Sequence, residues 1–166
     1  MNTMTIEDNK ALVRRFAEEV FNRRNLAAID EILAPNQVDH TLPPTLPPNT
    51  EGSKQAISTY LDAFPDLHVT IDDMVAEGDK VAMRFTSRGT QRRPFGGIPP
   101  TGREMTISSY LIARVADGKI VEQWGVDDQL GMLRQLGVIP AMFGFVFLVG
   151  LGVGMGLTVL LRKIFT

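Results

Sequence analysis

Residues 64–90 read FPDLHVTIDDMVAEGDKVAMRFTSRGT, and within them the hydrophobic period changes from that of a helix to that of a sheet. Just upstream, Ala56, Ile57, Tyr60, Leu61 and Phe64 recur at spacings of three and four, the inner face of a helix that Gly52 and Ser53 open. Past Pro65 the pattern alternates. Leu67, Val69 and Ile71 interleave with His68, Thr70 and Asp72, which predicts a strand with one buried face and places His68 on its polar side. Glu77-Gly78-Asp79 supplies a turn, and a second strand follows with Val81, Met83 and Phe85 opposite Arg84, Thr86 and Arg88.

Working outward, a third strand is expected from about Arg103 to Val115 and a fourth from about Lys119 to Val126. Asp117-Gly118 joins them, because both residues tolerate the positive φ of a tight hairpin. A short helix near Gln129 to Leu136 completes the pattern. Toward the N-terminus, Thr5 and Asp8 have the spacing of a capping box, and Leu12, Phe16 and Val20 form the stripe of a helix ending near Asn22. A shorter helix from Leu26 to about Leu33 is expected to stop before Pro35. The run LPPTLPPN at 42–49 reads as a loop, since its four prolines remove backbone donors and fix φ. Helices followed by a meander predict an α+β domain, with the N-terminal helices packed on one face of a curved antiparallel sheet.

The 166 residues include no cysteine and only two histidines, which rules out a disulfide framework or a Cys-based metal site and argues against any metal centre. No cofactor is implied. A net charge of -2 and a pI near 5.7 lack the basic footprint of nucleic-acid binding. The mean hydropathy of +0.02 conceals an uneven distribution. All 19 acidic and 15 of the 17 basic residues precede Ala141, whereas AMFGFVFLVGLGVGMGLTVLL at 141–161 carries no charge. At about 1.5 Å per residue a helix of that length matches a hydrocarbon layer of about 30 Å. The sequence therefore predicts a domain at 1–138 and a single C-terminal transmembrane anchor at 139–166, flanked by Pro140, Arg162 and Lys163. Gly150, Gly152, Gly154 and Gly156 alternate along it as two overlapping GxxxG patterns, a surface for a second copy, a neighbouring membrane subunit or a lipid. The opening MNTMTIEDNK lacks a signal-type apolar core, which favours a cytoplasmic domain, although Arg162 and Lys163 argue for keeping the other end there.

The order of motifs resembles the SnoaL-like polyketide cyclases, the ester-cyclase branch of the NTF2-like cone fold. It rests on Asn25-Leu26, Val38-Asp39-His40, Gly52, Phe64-Pro65-Asp66-Leu67 and Glu77-Gly78-Asp79-Lys80-Val81. It continues through Gly89-Thr90, Gly97-Ile98-Pro99-Pro100-Thr101-Gly102, Asp117 to Glu122, Trp124, Asp128 and Gln135-Leu136-Gly137. The resemblance implies a pocket closed by helices, commonly in a sheet-packed homodimer, and aldol ring closure of a hydrophobic polyketide ester without metal or coenzyme. An acidic residue after the tryptophan is the general acid/base there, and the matching position is Asp128. Strand parity sets Trp124, Val126 and Asp128 on one face and Gly125 and Asp127 on the other.

Such chemistry needs a carboxyl to move a proton next to a carbonyl and donors for the developing oxyanion. On this reading Asp128 is the acid/base, His40 bonds the substrate carbonyl or orients the acid, and Trp124 and Tyr60 line the cavity. Each has a plainer alternative: Asp128 as a helix N-cap, His40 as a structural hydrogen-bonder, Trp124 as packing. One position departs from the family, since Gln91 follows Gly89-Thr90 where a histidine is common. Two functions follow: a membrane-tethered cyclase or isomerase of a hydrophobic carbonyl compound, or a non-catalytic accessory subunit of a membrane complex held by the glycine-faced helix.

Overall fold

A computed structural model describes residues 5–139. The elements run α1 (Ile6–Arg15), a π-helical continuation (Phe16–Asn22), α2 (Ala28–Ile32), β1 (Leu33–Asp39), α3 (Thr50–Ala63), β2 (His68–Glu77), β3 (Lys80–Thr90), β4 (Glu104–Ala116), β5 (Lys119–Asp127) and α4 (Gln129–Gln135). The capping box forms: the Asp8 N–H donates to Thr5 Oγ1 at 3.1 Å, and the Thr5 N–H donates back to Asp8 Oδ2 at 2.9 Å. The first helix ends at Asn22, as its periodicity predicts, with a widened π stretch in its second half. Asn22 then binds the β2 backbone, donating to the Val69 carbonyl at 3.0 Å and accepting from the Val69 N–H at 2.8 Å.

The five strands lie in the order β1-β5-β4-β3-β2. The sheet is mixed, not antiparallel as the alternation predicts, because β1 pairs parallel with β5. This strand hides behind Pro35. The proline that seemed only to end α2 sits inside β1, at the sheet edge and across a register shift between Leu33 and Val38, where its missing N–H leaves no ladder bond unmade. The three antiparallel pairs match the expected meander, and Asp117 (φ 50) and Gly118 (φ 74) make the β4–β5 hairpin in the left-handed region. Bulges between Ile71 and Asp73 in β2 and at Val121 in β5 bend the sheet.

The helices cover the inner face, where Val81, Met83, Met105, Ile107, Ala113 and Ile120 pack against Val13, Phe16, Val20, Ile57, Leu61 and Phe64. Tyr110, Ile112 and Val126 project from the other face and are exposed. Among the described residues no helix is long and apolar enough to cross a membrane. The predicted anchor and its Gly150, Gly152, Gly154 and Gly156 lie outside the described residues.

A buried polar cluster joins β1 to β5 and α3. Gln123 Nε2 donates to Gln37 Oε1 at 3.1 Å and to Asp39 Oδ2 at 3.0 Å. Gln37 Nε2 donates to Ser53 Oγ at 2.6 Å, and Ser53 Oγ donates to Asp39 Oδ2 at 2.7 Å. On the second carboxylate oxygen Asp39 accepts from the Thr41 N–H (2.9 Å) and hydroxyl (2.6 Å). All four of its partners are donors, so an amide in its place would oppose N–H to N–H or O–H. Asp39→Asn is expected to lower stability by about 2–4 kcal/mol in denaturant titration. The proline loop closes over this cluster, and there Gly52 leaves no room: an added Cβ would lie 1.9 Å from the Pro47 carbonyl oxygen. Gly52→Ala is expected to cost about 2–3 kcal/mol by the same measurement, because the backbone itself must move.

Candidate functional site

The register of β4 and β5 decides which side chains of the last strand face the helices. Ser109, Leu111 and Ala113 on β4 face inward and pair with Asp127, Gly125 and Gln123. Tyr110 and Ile112 face outward and pair with Val126 and Trp124. The expected site residues are thus divided between the two sides of the sheet. His40 and Trp124 meet on the outer face, their rings stacked at 5.2 Å and 6°. Tyr60, on α3, lies on the inner side, against Phe64 at 5.0 Å and Phe95 at 5.4 Å. Asp128 sits beyond the last β5 residue and N-caps α4, accepting from the Gly131 N–H at 2.7 Å.

On the outer face His40 Nε2 is 3.0 Å from Glu122 Oε1, while Arg114 reaches the other oxygen of Glu122 with Nε at 3.0 Å and Nη2 at 2.9 Å. Hydrogen bonds from His40 and Arg114 hold the Glu122 carboxyl below its ordinary range. Lys80 Nζ lies 5.9 Å from the Trp124 ring centroid. This arrangement ties β1 to β5 on the exposed side and leaves His40 engaged.

The inner face is different in character. Gly125 and Asp127 point to the helical side yet are exposed, so the helical layer stops short of this end of the sheet and leaves a mouth there. Deeper in, Ser109 is fully buried, and its Oγ has no hydrogen-bond partner among the described residues. Among the described residues the Tyr60 hydroxyl has only the Met105 thioether, at 3.8 Å, a weak acceptor. Burial, and after it the negative charge of Asp127, pushes the Tyr60 phenol up, so it stays a neutral donor across the physiological range. One carboxylate, one phenol and one free hydroxyl therefore share an aromatic-walled inner surface. Those groups can move a proton and donate to an oxyanion. Ser109 and Asp127 carry no sequence motif. Cross-strand pairing outward from the Asp117-Gly118 hairpin could have found them, given the position of the bulge.

Gln91 is wholly buried and serves the loop after β3. Its Oε1 accepts from the Thr101 hydroxyl at 2.8 Å and N–H at 3.3 Å, and its Nε2 donates to the Ile98 carbonyl at 3.3 Å. The loop so pinned carries Phe95, which packs on Tyr60 and Phe64. Among the described residues there is no group of His, Cys, Asp and Glu able to hold a metal ion.

Residues 11–136 match the model of the SnoaL-like polyketide cyclase family. Among solved structures, TsrD from Streptomyces laurentii is 31% identical, with a TM-score of 0.74 over 81% of this chain and 98% of that one. IdmH, a putative polyketide cyclase from Streptomyces antibioticus, is 37% identical, with a TM-score of 0.68 over 78% and 99%. AclR, a putative hydroxylase from Streptomyces galilaeus, is 29% identical, with a TM-score of 0.70 over 80% and 98%. None of the curated proteins matches the chain. The match along three quarters of the sequence, on a mixed curved sheet closed by helices, makes this chain a member of the SnoaL-like polyketide cyclase family.

Proposed function

We propose that the domain is a cofactor-independent cyclase or isomerase of a hydrophobic, polyketide-like carbonyl compound, working by acid/base chemistry at the mouth of the inner face. The observation that carries this reading is the placement of Asp127, a carboxylate on the inner face whose charge reaches the Tyr60 phenol, itself desolvated and kept protonated. A carboxylate there removes a proton from the carbon next to the substrate carbonyl, and the electron pair moves onto the carbonyl oxygen as an enolate. Neutral donors in an apolar setting favour that oxygen without adding charge. The enolate carbon then attacks a second carbonyl of the same molecule, and the new alkoxide takes a proton back from the acid. The partly exposed rings of Tyr60 and Phe95, backed by the buried Phe64, suit a flat, conjugated substrate.

Asp127 and Asp128 are neighbours with different surroundings, which makes the assignment testable. Solvent-deuterium exchange at the α-carbon of aromatic β-ketoesters reads the first proton transfer directly. Asp127→Asn is expected to slow exchange by at least about 100-fold. Asp128→Asn keeps a good N-cap and is expected to cost less than about fivefold. The opposite ranking would give the role to Asp128, as the family resemblance implies, and equal small effects would exclude both.

We propose further that residues 141–161 tether this domain to a lipid bilayer, which would hold the mouth near membrane-dissolved substrate. The support is the charge-free 21-residue run in the sequence. The full chain is expected to stay in the membrane pellet after alkaline carbonate extraction, and a chain ending at residue 139 is expected to leave it. Full release of the intact chain would refute the tether.

A further inference from the structure

Ser109 is the described residue whose chemistry is least explained by packing. It lies in the middle of β4 at 0% exposure, paired across the sheet with Phe85 on β3 and with Asp127 on β5. Its neighbours along the inner face are Ile107 and Leu111. A hydroxyl in such surroundings normally finds a partner, because leaving a buried donor unpaired costs roughly 1–3 kcal/mol. Other inward polar side chains of this sheet do so: Gln37, Asp39 and Gln123 bond to one another or to Ser53. An alanine would fill the Ser109 site without that cost, as Ala113 does one inward position beyond Leu111. Among the described residues no base or cation bonds to the Ser109 hydroxyl, so it is not activated as a nucleophile. What it retains is a neutral O–H with no acceptor among the described residues, covered by its neighbours, so a ligand reaches it by displacing the side chains over it.

We infer that the Ser109 hydroxyl donates to a carbonyl oxygen of the bound ligand, beside the carboxylate of Asp127. The inference rests on the reading of the inner face as a carbonyl-binding site and adds to it the group that receives the substrate oxygen. Directly paired antiparallel residues have Cβ atoms about 4.5–5.5 Å apart. A carbonyl oxygen bonded to Ser109 therefore leaves the adjacent carbon within reach of Asp127, so one cross-strand pair supplies both the donor and the base. Ser109 also sets a preference: a ligand with a ketone or ester oxygen is held, and the hydrocarbon of the same shape leaves the donor unpaired and is rejected.

The test uses the full chain in a mild detergent and acetophenone carrying 13C at its carbonyl, observed by NMR. In the wild type the bound carbonyl resonance is expected downfield of its position in apolar solvent. Ser109→Ala should weaken binding roughly three- to tenfold and return the resonance toward the apolar value. Ser109→Cys fills the same space with a poor donor and should do likewise, which separates a lost hydrogen bond from a packing defect. Ser109→Ala should melt no lower than the wild type, since an unpaired buried group has been removed. Equal affinity and an unshifted resonance in Ser109→Ala, or wild-type binding in Ser109→Cys, would overturn the assignment of Ser109 and leave the carbonyl-site reading standing. Failure of the wild type to bind acetophenone would overturn that reading, and Ser109 with it.

Discussion

The carboxylate of Asp39 accepts four hydrogen bonds inside the domain and, among the described residues, pairs with no cation. A charge so placed has to be solvated by fixed donors, because water is excluded and removing even one partner leaves lone pairs unmatched. The donors come from different parts of the chain: Gln123 from β5, Ser53 from α3 and Thr41 from the start of the proline loop. Satisfying Asp39 therefore fixes the edge strand beside β5, the angle of α3 across the sheet and the path of the loop over both. Tyr60 depends on it too, since it is carried on α3 seven residues beyond Ser53. The polar cluster specifies one arrangement where an apolar patch would tolerate several.

The second constraint is a single extra residue. Ile120 and Glu122 on β5 pair with the adjacent residues Val115 and Arg114 on β4, so Val121 has no opposite number. Beyond that bulge every side chain of β5 lies on the face opposite to the one uninterrupted alternation from Ile120 would give it. Gln123 thereby turns inward to reach Asp39, and Asp127 turns inward to the mouth. Trp124 turns out to meet His40 and Lys80. The outer face gains a tied, ion-paired seam, and the inner face keeps a carboxylate, a phenol and a hydroxyl among aromatic side chains.

Much of this was legible in the residues. The capping box at Thr5, the switch of period at Pro65, the turns at Gly78 and Asp117-Gly118 and the cap at Asp128 are local chemistry, and each forms where the sequence places it. β1 was not legible, because a proline within seven residues is a stronger local signal for a break than alternation is for a strand, and only pairing with the distant β5 stabilises it. The candidate site was legible in part. Tyr60 falls on the inward stripe of α3 by its spacing alone, and the stacked pair of His40 and Trp124 joins two singled-out residues on the face away from it. The inward turn of Asp127 depends on a bulge that nothing in VEQWGVD announces, and the orphaned Ser109 hydroxyl is visible only once its neighbours are in place.

A ligand acting at the inner mouth and a ligand acting beside the tryptophan would be told apart by where the protein senses it. The single tryptophan lies on the outer face, so its indole N–H reports on that side alone. Backbone amides of Ser109, Gly125 and Asp127 report on the other. Titration of the 15N-labelled protein with an aromatic β-ketoester, followed by amide chemical shifts, is the most direct measurement. The account predicts graded, saturable shifts at Ser109, Gly125 and Asp127 with the Trp124 indole unmoved. Shifts centred on Trp124 and His40, with those three amides unchanged, would contradict it.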